Sequence, residues 1–170
     1  MRASASSMVV MGVSGCGKSS LGQALALAHG QPFIEGDAHH SPSNLAKMAA
    51  GQPLTDEDRL PWLRRLAAEL AGQPQGAVLA CSALKRSYRD LLRAAVPDLC
   101  FVWLEISQAD ALERVARRGA AHFFDPGLVA SQFASLEPPR DEADVMALDA
   151  RLELPVLCAL ALQARPTRPA

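Results

Sequence analysis

Residues 12–19 read Gly-Val-Ser-Gly-Cys-Gly-Lys-Ser, the G-x-x-x-x-G-K-S pattern of a phosphate-binding P-loop. It follows a short continuous apolar run, Met8–Val13, and opens a stretch, Ser19–His29, with Leu21, Leu25 and Ala28 at helical spacing and Gly30 at its end. A run of that kind reads as a parallel strand buried on both faces, so the chain is predicted to begin strand, glycine loop, helix. Each part of the loop has a chemical reason. Glycines let backbone N–H groups turn inward around phosphate oxygens, and the helix N-terminus adds the positive end of a dipole. Lys18 would reach the β- and γ-phosphates and the Ser19 hydroxyl would ligate Mg²⁺. The expected nucleotide contacts are Gly12, Val13, Ser14, Gly15, Cys16, Gly17, Lys18, Ser19 and Ser20. The dinucleotide fingerprint G-x-G-x-x-G fails, because Gly15-x-Gly17 is followed by Ser20. A nucleoside triphosphate, ATP, is therefore expected in place of NAD.

Further apolar runs alternate with helical patterns. Strands are predicted at Pro32–Glu35, Gly76–Cys81, Leu99–Glu105 and Val145–Asp149. Helices are predicted at Ser43–Ala50, Thr55 (as cap) to Leu70, Lys85–Ala95, Gln108–Arg118, Leu128–Leu136 and Leu154–Gln163. Thr55 and Asp58 have capping-box spacing. The alternation predicts an α/β P-loop NTPase fold: a five-stranded parallel sheet flanked by helices, with a small acceptor-binding helical excursion at about 37–72 and a lid at about 114–138. One domain over 1–170 is expected, with frayed ends at 1–7 and 164–170.

Composition narrows the class. Lys+Arg 17 against Asp+Glu 18 leaves a net charge of −1, without the basic surplus of a nucleic-acid binder. The longest apolar run, Leu154–Leu162, falls far short of the ~20 residues that span a bilayer. Cys16, Cys81, Cys100 and Cys158 form no C-x-x-C pair or metal-ligand spacing and fit a reducing cytoplasm. Only Lys18, Lys47 and Lys85 are lysines, so each is worth following in a chain that otherwise uses arginine.

A P-loop alone does not fix the reaction. The segment Cys81-Ser82-Ala83-Leu84-Lys85 shares Ser-Ala and Lys with a GTPase guanine-binding segment, but neither D-x-x-G nor N-K-x-D occurs. Nor does a hydrophobic strand end in the adjacent acids of a helicase or AAA-type motor. A small-molecule kinase needs an acceptor pocket at the carboxyl ends of the strands, a carboxylate for the acceptor hydroxyl and cations over the phosphates. Asp37 follows the second strand, and His39, His40, Asn44 and Lys47 follow it. Arg114, Arg117 and Arg118 precede the small-residue loop Gly119–Ala121.

The strings MGVSGCGKSS, EGDAHHSPSNLAKMAAGQPLTDEDRLPWL, ACSALKRSYRDLLR and HFFDPGLVASQFASLEPP run in order from Met11 to Pro139. In them the chain resembles the bacterial-type gluconokinases, of the shikimate-kinase and nucleoside-monophosphate-kinase group. The resemblance implies transfer of the ATP γ-phosphate to the 6-hydroxyl of D-gluconate, a Mg²⁺ requirement and a homodimer, with no nucleic acid or membrane as partner. It leaves as alternatives a kinase for shikimate or another small polyol or acid, and a non-catalytic ATP-binding module. The sequence departs from the family in reading Glu35-Gly36-Asp37 for Asp-Gly-Asp and in stretching Gly-His-Phe to Gly119-Ala120-Ala121-His122-Phe123. It matches only loosely after Pro139.

On this reading Lys18, Asp37 and Lys85 are the catalytic candidates, Asp37 orienting or deprotonating the acceptor hydroxyl. The substrate candidates are Asp37, His40, Lys47, Arg59, Ser82, Lys85, Arg89 and His122. Arg59 would face either the acceptor carboxylate or Asp56. Arg89, at i+4 from Lys85, would share its face, while Arg86 and Arg93 would lie on the solvated side. Glu35 is a candidate to support Mg²⁺ beside Ser19, and one of Arg114, Arg117 and Arg118 is the lid arginine. His39 is expected to face solvent, Trp62 and Trp103 to be core, and Phe123 and Phe124 to pack the lid shut.

Overall fold

The computed structural model describes residues 6–119 and 125–164. The elements run β1 (Met8–Met11), α1 (Lys18–His29), β2 (Phe33–Glu35), a 3₁₀ turn (Gly36–His39), α2 (Pro42–Ala49), α3 (Asp56–Ala71) and β3 (Val78–Ala80). They continue with α4 (Arg86–Ala95), β4 (Cys100–Glu105), α5 (Gln108–Arg118), α6 (Pro126–Ser135), β5 (Val145–Asp149) and α7 (Leu154–Ala161). The five strands form one parallel sheet in the order β2-β3-β1-β4-β5. This is the α/β P-loop architecture that the alternation predicts, with every strand in place.

The sheet is covered on both faces, which is why β1 carries no polar residue. Val9 and Met11 point into one core with Leu63, Leu66 and Leu70 of α3 and Leu92 of α4. Met8 and Val10 point into the other with Leu21 and Leu25 of α1 and Leu157 of α7. The period-2 alternation of a strand delivers these pairs to opposite faces.

The expected boundaries shift by a residue or two, for local reasons. β3 is shorter than the run Gly76–Cys81, because Gly76 is in the left-handed turn region (φ 74) and the Ala77 N–H is taken by the Ser7 hydroxyl at 3.1 Å. α6 begins at Pro126 rather than Leu128: Asp125 accepts from the Gly127 N–H at 2.7 Å and proline suits the first helical position. Lys85 is the cap of α4 rather than its first residue, and α7 ends at Ala161 rather than Gln163. The Thr55–Asp58 capping box is formed.

Two expectations about the ends are corrected. Ser7 is buried and also accepts from Cys100 N at 3.3 Å, so it belongs to the sheet rather than a frayed terminus. Ala164 packs against the α1–α7 core. Residues 1–5 and 165–170 lie outside the described residues, as do Ala120, Ala121, His122, Phe123 and Phe124.

Arg89 is a larger correction. Expected on the face of Lys85 as a substrate candidate, it does not line the cavity and is turned to other partners. Its guanidinium is fully buried, pairs with Glu142 at 2.6 Å, and donates to the carbonyls of Ala83 (2.7 Å), Leu84 (3.1 Å) and Glu137 (3.0 Å). A buried charge is tolerated only when its donors are satisfied in this way. Arg93 is not on the solvated side either: it bonds Glu142 and Asp144 and lies over the Phe101 ring. Together the two arginines tie α4 to the chain after α6. Of the two, Arg89 alone bonds Ala83, whose backbone is in a left-handed conformation (φ 45) that alanine rarely adopts.

Candidate active site

The loop between β1 and α1 is shaped from behind. Arg114 of α5 donates to the carbonyls of Gly15 (3.3 Å), Cys16 (3.4 Å) and Ala150 (2.6 Å). These contacts hold the loop from the α5 side, and within it the Cys16 N–H donates to the Val13 carbonyl at 3.3 Å. Gly12 has φ 147, and a Cβ there would come within 2.8 Å of the Cys16 Sγ. Lys18 opens α1 and lays its ammonium back over the loop, 3.2 Å from the Val13 carbonyl.

On the acceptor side, β2 ends in Glu35-Gly36-Asp37. A Cβ on residue 36 would lie 2.4 Å from the Ala80 carbonyl of β3, so only glycine permits this close approach. The turn it allows carries Asp37 out over the sheet edge, its side chain 72% exposed. It also presents the Gly36 carbonyl to the Trp62 Nε1–H at 2.8 Å. Trp62 stacks on His40 with centroids 4.2 Å apart. Burial and the neighbouring Arg59 hold the His40 pKa below its ordinary value, opposed by Asp37. A neutral ring fits its contacts: Nδ1 accepts from Asn44 Nδ2 at 3.4 Å and Nε2 faces Asp37 at 3.9 Å.

A cavity of about 310 Å³ joins the two sides. Ser14, Lys18 and Arg118 line it together with Asp37, His40, Arg59, Trp62 and Ser82. Its size and its few convergent polar groups suit a small ligand. Arg59 is the most telling of these groups. It is 8% exposed, its one hydrogen bond among the described residues goes to the neutral Tyr88 hydroxyl at 3.4 Å, and it forms no ion pair there. The local partner that the sequence left open, Asp56, is instead taken by Lys85 at 2.9 Å and by the Tyr88 hydroxyl. These bonds hold the Asp56 pKa down, with Tyr88 the larger cause.

The remaining candidates are placed elsewhere. Lys47 puts its ammonium 2.8 Å from both carboxylate oxygens of Asp58, tying α2 to α3 rather than facing the cavity. Lys85 is similarly held by Asp56 and does not line the cavity. Arg114 braces the back of the loop, Arg117 points outward to Glu113, and Arg118 is the arginine of the three that lines the cavity. Ser20 is exposed on the first turn of α1. His39 is half-buried, its Nδ1–H donating to the Glu35 carbonyl at 3.0 Å. Trp103 is core, but Trp62 is both buried and cavity wall, a double role the sequence did not disclose. Gln132 of α6 also lines the cavity and was not singled out from the sequence, although it lies in the string VASQFASLEPP.

The Ser19 hydroxyl donates to Glu35 Oε2 at 2.5 Å, which puts two hard oxygen donors together at the start of α1. Two protein oxygens beside a phosphate site are what Mg²⁺ uses, because it keeps most of its shell for water and phosphate. The residues fit the ion.

A family model described as an AAA domain matches residues 8–139. The chain is 43% identical to the thermosensitive gluconokinase of Escherichia coli K12 over 147 residues, covering 84% of this chain and 78% of that protein. It is 47% identical to the gluconokinase of Gluconobacter oxydans 621H over 142 residues, covering 82% and 79%. The chain belongs to the gluconokinase family. Among solved structures, a gluconokinase from Sinorhizobium meliloti 1021 superposes with a TM-score of 0.86 at 48% identity, covering 96% of this chain and 93% of that one. The gluconokinase likeness therefore spans the P-loop, the α2–α3 excursion and the α5–α6 wall of the cavity.

Proposed function

We infer that the protein is a gluconokinase, transferring the ATP γ-phosphate to the 6-hydroxyl of D-gluconate to give 6-phospho-D-gluconate and ADP. The observation that carries the reading is the pairing, across one cavity, of a P-loop lysine with a buried arginine that has no carboxylate partner among the described residues. A buried guanidinium that makes no direct ion pair suits an anionic ligand, and a sugar acid supplies one at the end of the molecule opposite its 6-hydroxyl.

In the proposed reaction Arg59 receives the gluconate carboxylate, with His40 and Ser82 offering hydrogen bonds to hydroxyls. Asp37, which lines the same cavity as Arg59 and Lys18, orients the 6-hydroxyl and accepts its proton as the O–P bond forms. The backbone amides of the loop and the Lys18 ammonium hold the β- and γ-phosphates, and Arg118 adds charge over them. Ser19, with Glu35 behind it, would hold Mg²⁺, which supplies charge neutralisation on the phosphate oxygens. The same reading makes the protein cytoplasmic and a homodimer, without a nucleic-acid or membrane partner. Among the described residues no helix is long and apolar enough to cross a membrane.

A coupled ADP-release assay with and without gluconate tests the activity. Gluconate-dependent ADP release is expected, and its absence would overturn the reading. Arg59→Leu tests the acceptor subsite. The KM for gluconate is expected to rise about 100-fold, the ~2–3 kcal/mol lost with a charge-assisted contact, while the KM for ATP stays within about threefold. A rise in the KM for ATP instead would move Arg59 to the nucleotide.

A further inference from the structure

Gln132 stands apart from the residues that the proposed reaction uses. It comes from α6 rather than from the α2–α3 segment, and its Oε1 accepts from the Ser14 N–H at 2.7 Å. Ser14 is in the P-loop, and its amide belongs to the loop that would cradle phosphate. The bond spans 118 positions of sequence and joins the α6 wall to the nucleotide loop. The other end of the Gln132 amide, Nε2, makes no hydrogen bond among the described residues, although Gln132 lines the same cavity as Lys18, Asp37 and Arg118. A primary amide anchored through its oxygen carries two N–H donors on the far side of the group. Here that leaves them unpaired beside the groups assigned to the phosphates and the acceptor.

We propose that Gln132 is a phosphoryl-positioning residue. Its carbonyl is fixed by the Ser14 N–H and its amide N–H group donates to an oxygen of the ATP γ-phosphate, so that the α6 wall distinguishes ATP from ADP. The proposal rests on the ATP-dependent kinase reading and adds to it a residue outside the P-loop that reads the third phosphate. No covalent step involves Gln132. Its donors stabilise charge on the phosphoryl oxygens, the interaction on which this class of transfer depends. An alternative in which Gln132 only anchors α6 would need its carbonyl oxygen alone.

Gln132→Glu and Gln132→Ala separate these two roles. Glutamate keeps an oxygen acceptor for Ser14 but offers no donor and sets a negative charge beside the phosphate. Alanine removes both ends. Binding of ADP and of a non-hydrolysable ATP analogue is measured by calorimetry with full-length protein, alongside kcat and both KM values. If Gln132 reads the γ-phosphate, Gln132→Glu should weaken the ATP analogue at least 10-fold while changing ADP less than twofold. Its kcat should fall at least as far as that of Gln132→Ala, and the KM for gluconate should stay near wild type. If Gln132→Glu keeps the wild-type ratio of ATP-analogue to ADP affinity, with kcat within twofold, the residue is an anchor and the proposal is overturned. Wild-type protein that binds neither nucleotide would overturn the ATP reading itself, and this proposal with it. Thermal unfolding of each variant shows whether a loss comes from the fold.

Discussion

Lys18→Ala is expected to lower kcat by about 10³-fold, ~4 kcal/mol of transition-state stabilisation. The ammonium lies over the loop that opens α1, in the cavity shared with Asp37. In a largely dissociative phosphoryl transfer the protein does little covalent chemistry, so a lost positive charge on the β- and γ-oxygens is felt mainly in the rate. The variant should fold: among the described residues the side chain's single hydrogen bond is to the Val13 carbonyl at 3.2 Å. Thermal unfolding within a few degrees of wild type, together with lost gluconate-dependent ADP release, is the expected pair of results. A kcat within tenfold of wild type would remove Lys18 from the transfer step. Arginine should not rescue it, because a broad planar guanidinium does not reproduce the compact point charge of an ammonium.

Asp37→Asn is expected to lower kcat by about 10²-fold or more, the usual scale for a positioned acid or base, with ATP-analogue affinity within about twofold of wild type. The carboxylate is largely exposed, and its nearest titratable neighbour is the His40 ring at 3.9 Å. No packing or network is lost with the charge, so the change reports on chemistry rather than folding. Steady-state kinetics and calorimetry on the same preparation decide the matter. An equal loss of ATP affinity would place Asp37 at the nucleotide and leave the acceptor hydroxyl without its carboxylate.

The nucleotide half of the site was legible in the sequence because a P-loop is local. Glycine spacing, the preceding buried strand and the following helix all lie within consecutive residues, and the structure assembles them as written. The strand alternation likewise predicted a parallel sheet. The acceptor half was legible by residue type but not by partner. Lys47 and Lys85 lie in the right segments, yet each is held by a carboxylate on the first turn of α3, Asp58 and Asp56. Those pairings depend on how α2 and the β3–α4 loop pack against α3, which no local spacing encodes. Arg89 shows the same limit. Its helical spacing from Lys85 put the two on one face, whereas its real partners, Glu137 and Glu142, come from beyond α6. Gln132 was missed because a glutamine within a helical pattern carries no signal until the bond to Ser14 is seen.

The stack of Trp62 on His40 gives the protein an optical property. An indole's emission depends on the polarity and charge of its immediate surroundings. Trp62 faces the acceptor cavity, whereas Trp103 is enclosed in the sheet core beneath the Arg140 guanidinium. Of these two fluorophores, one therefore borders the cavity proposed for the acceptor and the other lies in the core. Titration with gluconate should shift the intrinsic emission through Trp62 alone, and Trp62→Phe should leave the remaining spectrum indifferent to it. The chain can thus be read for acceptor occupancy without an attached dye, and before any phosphate has moved.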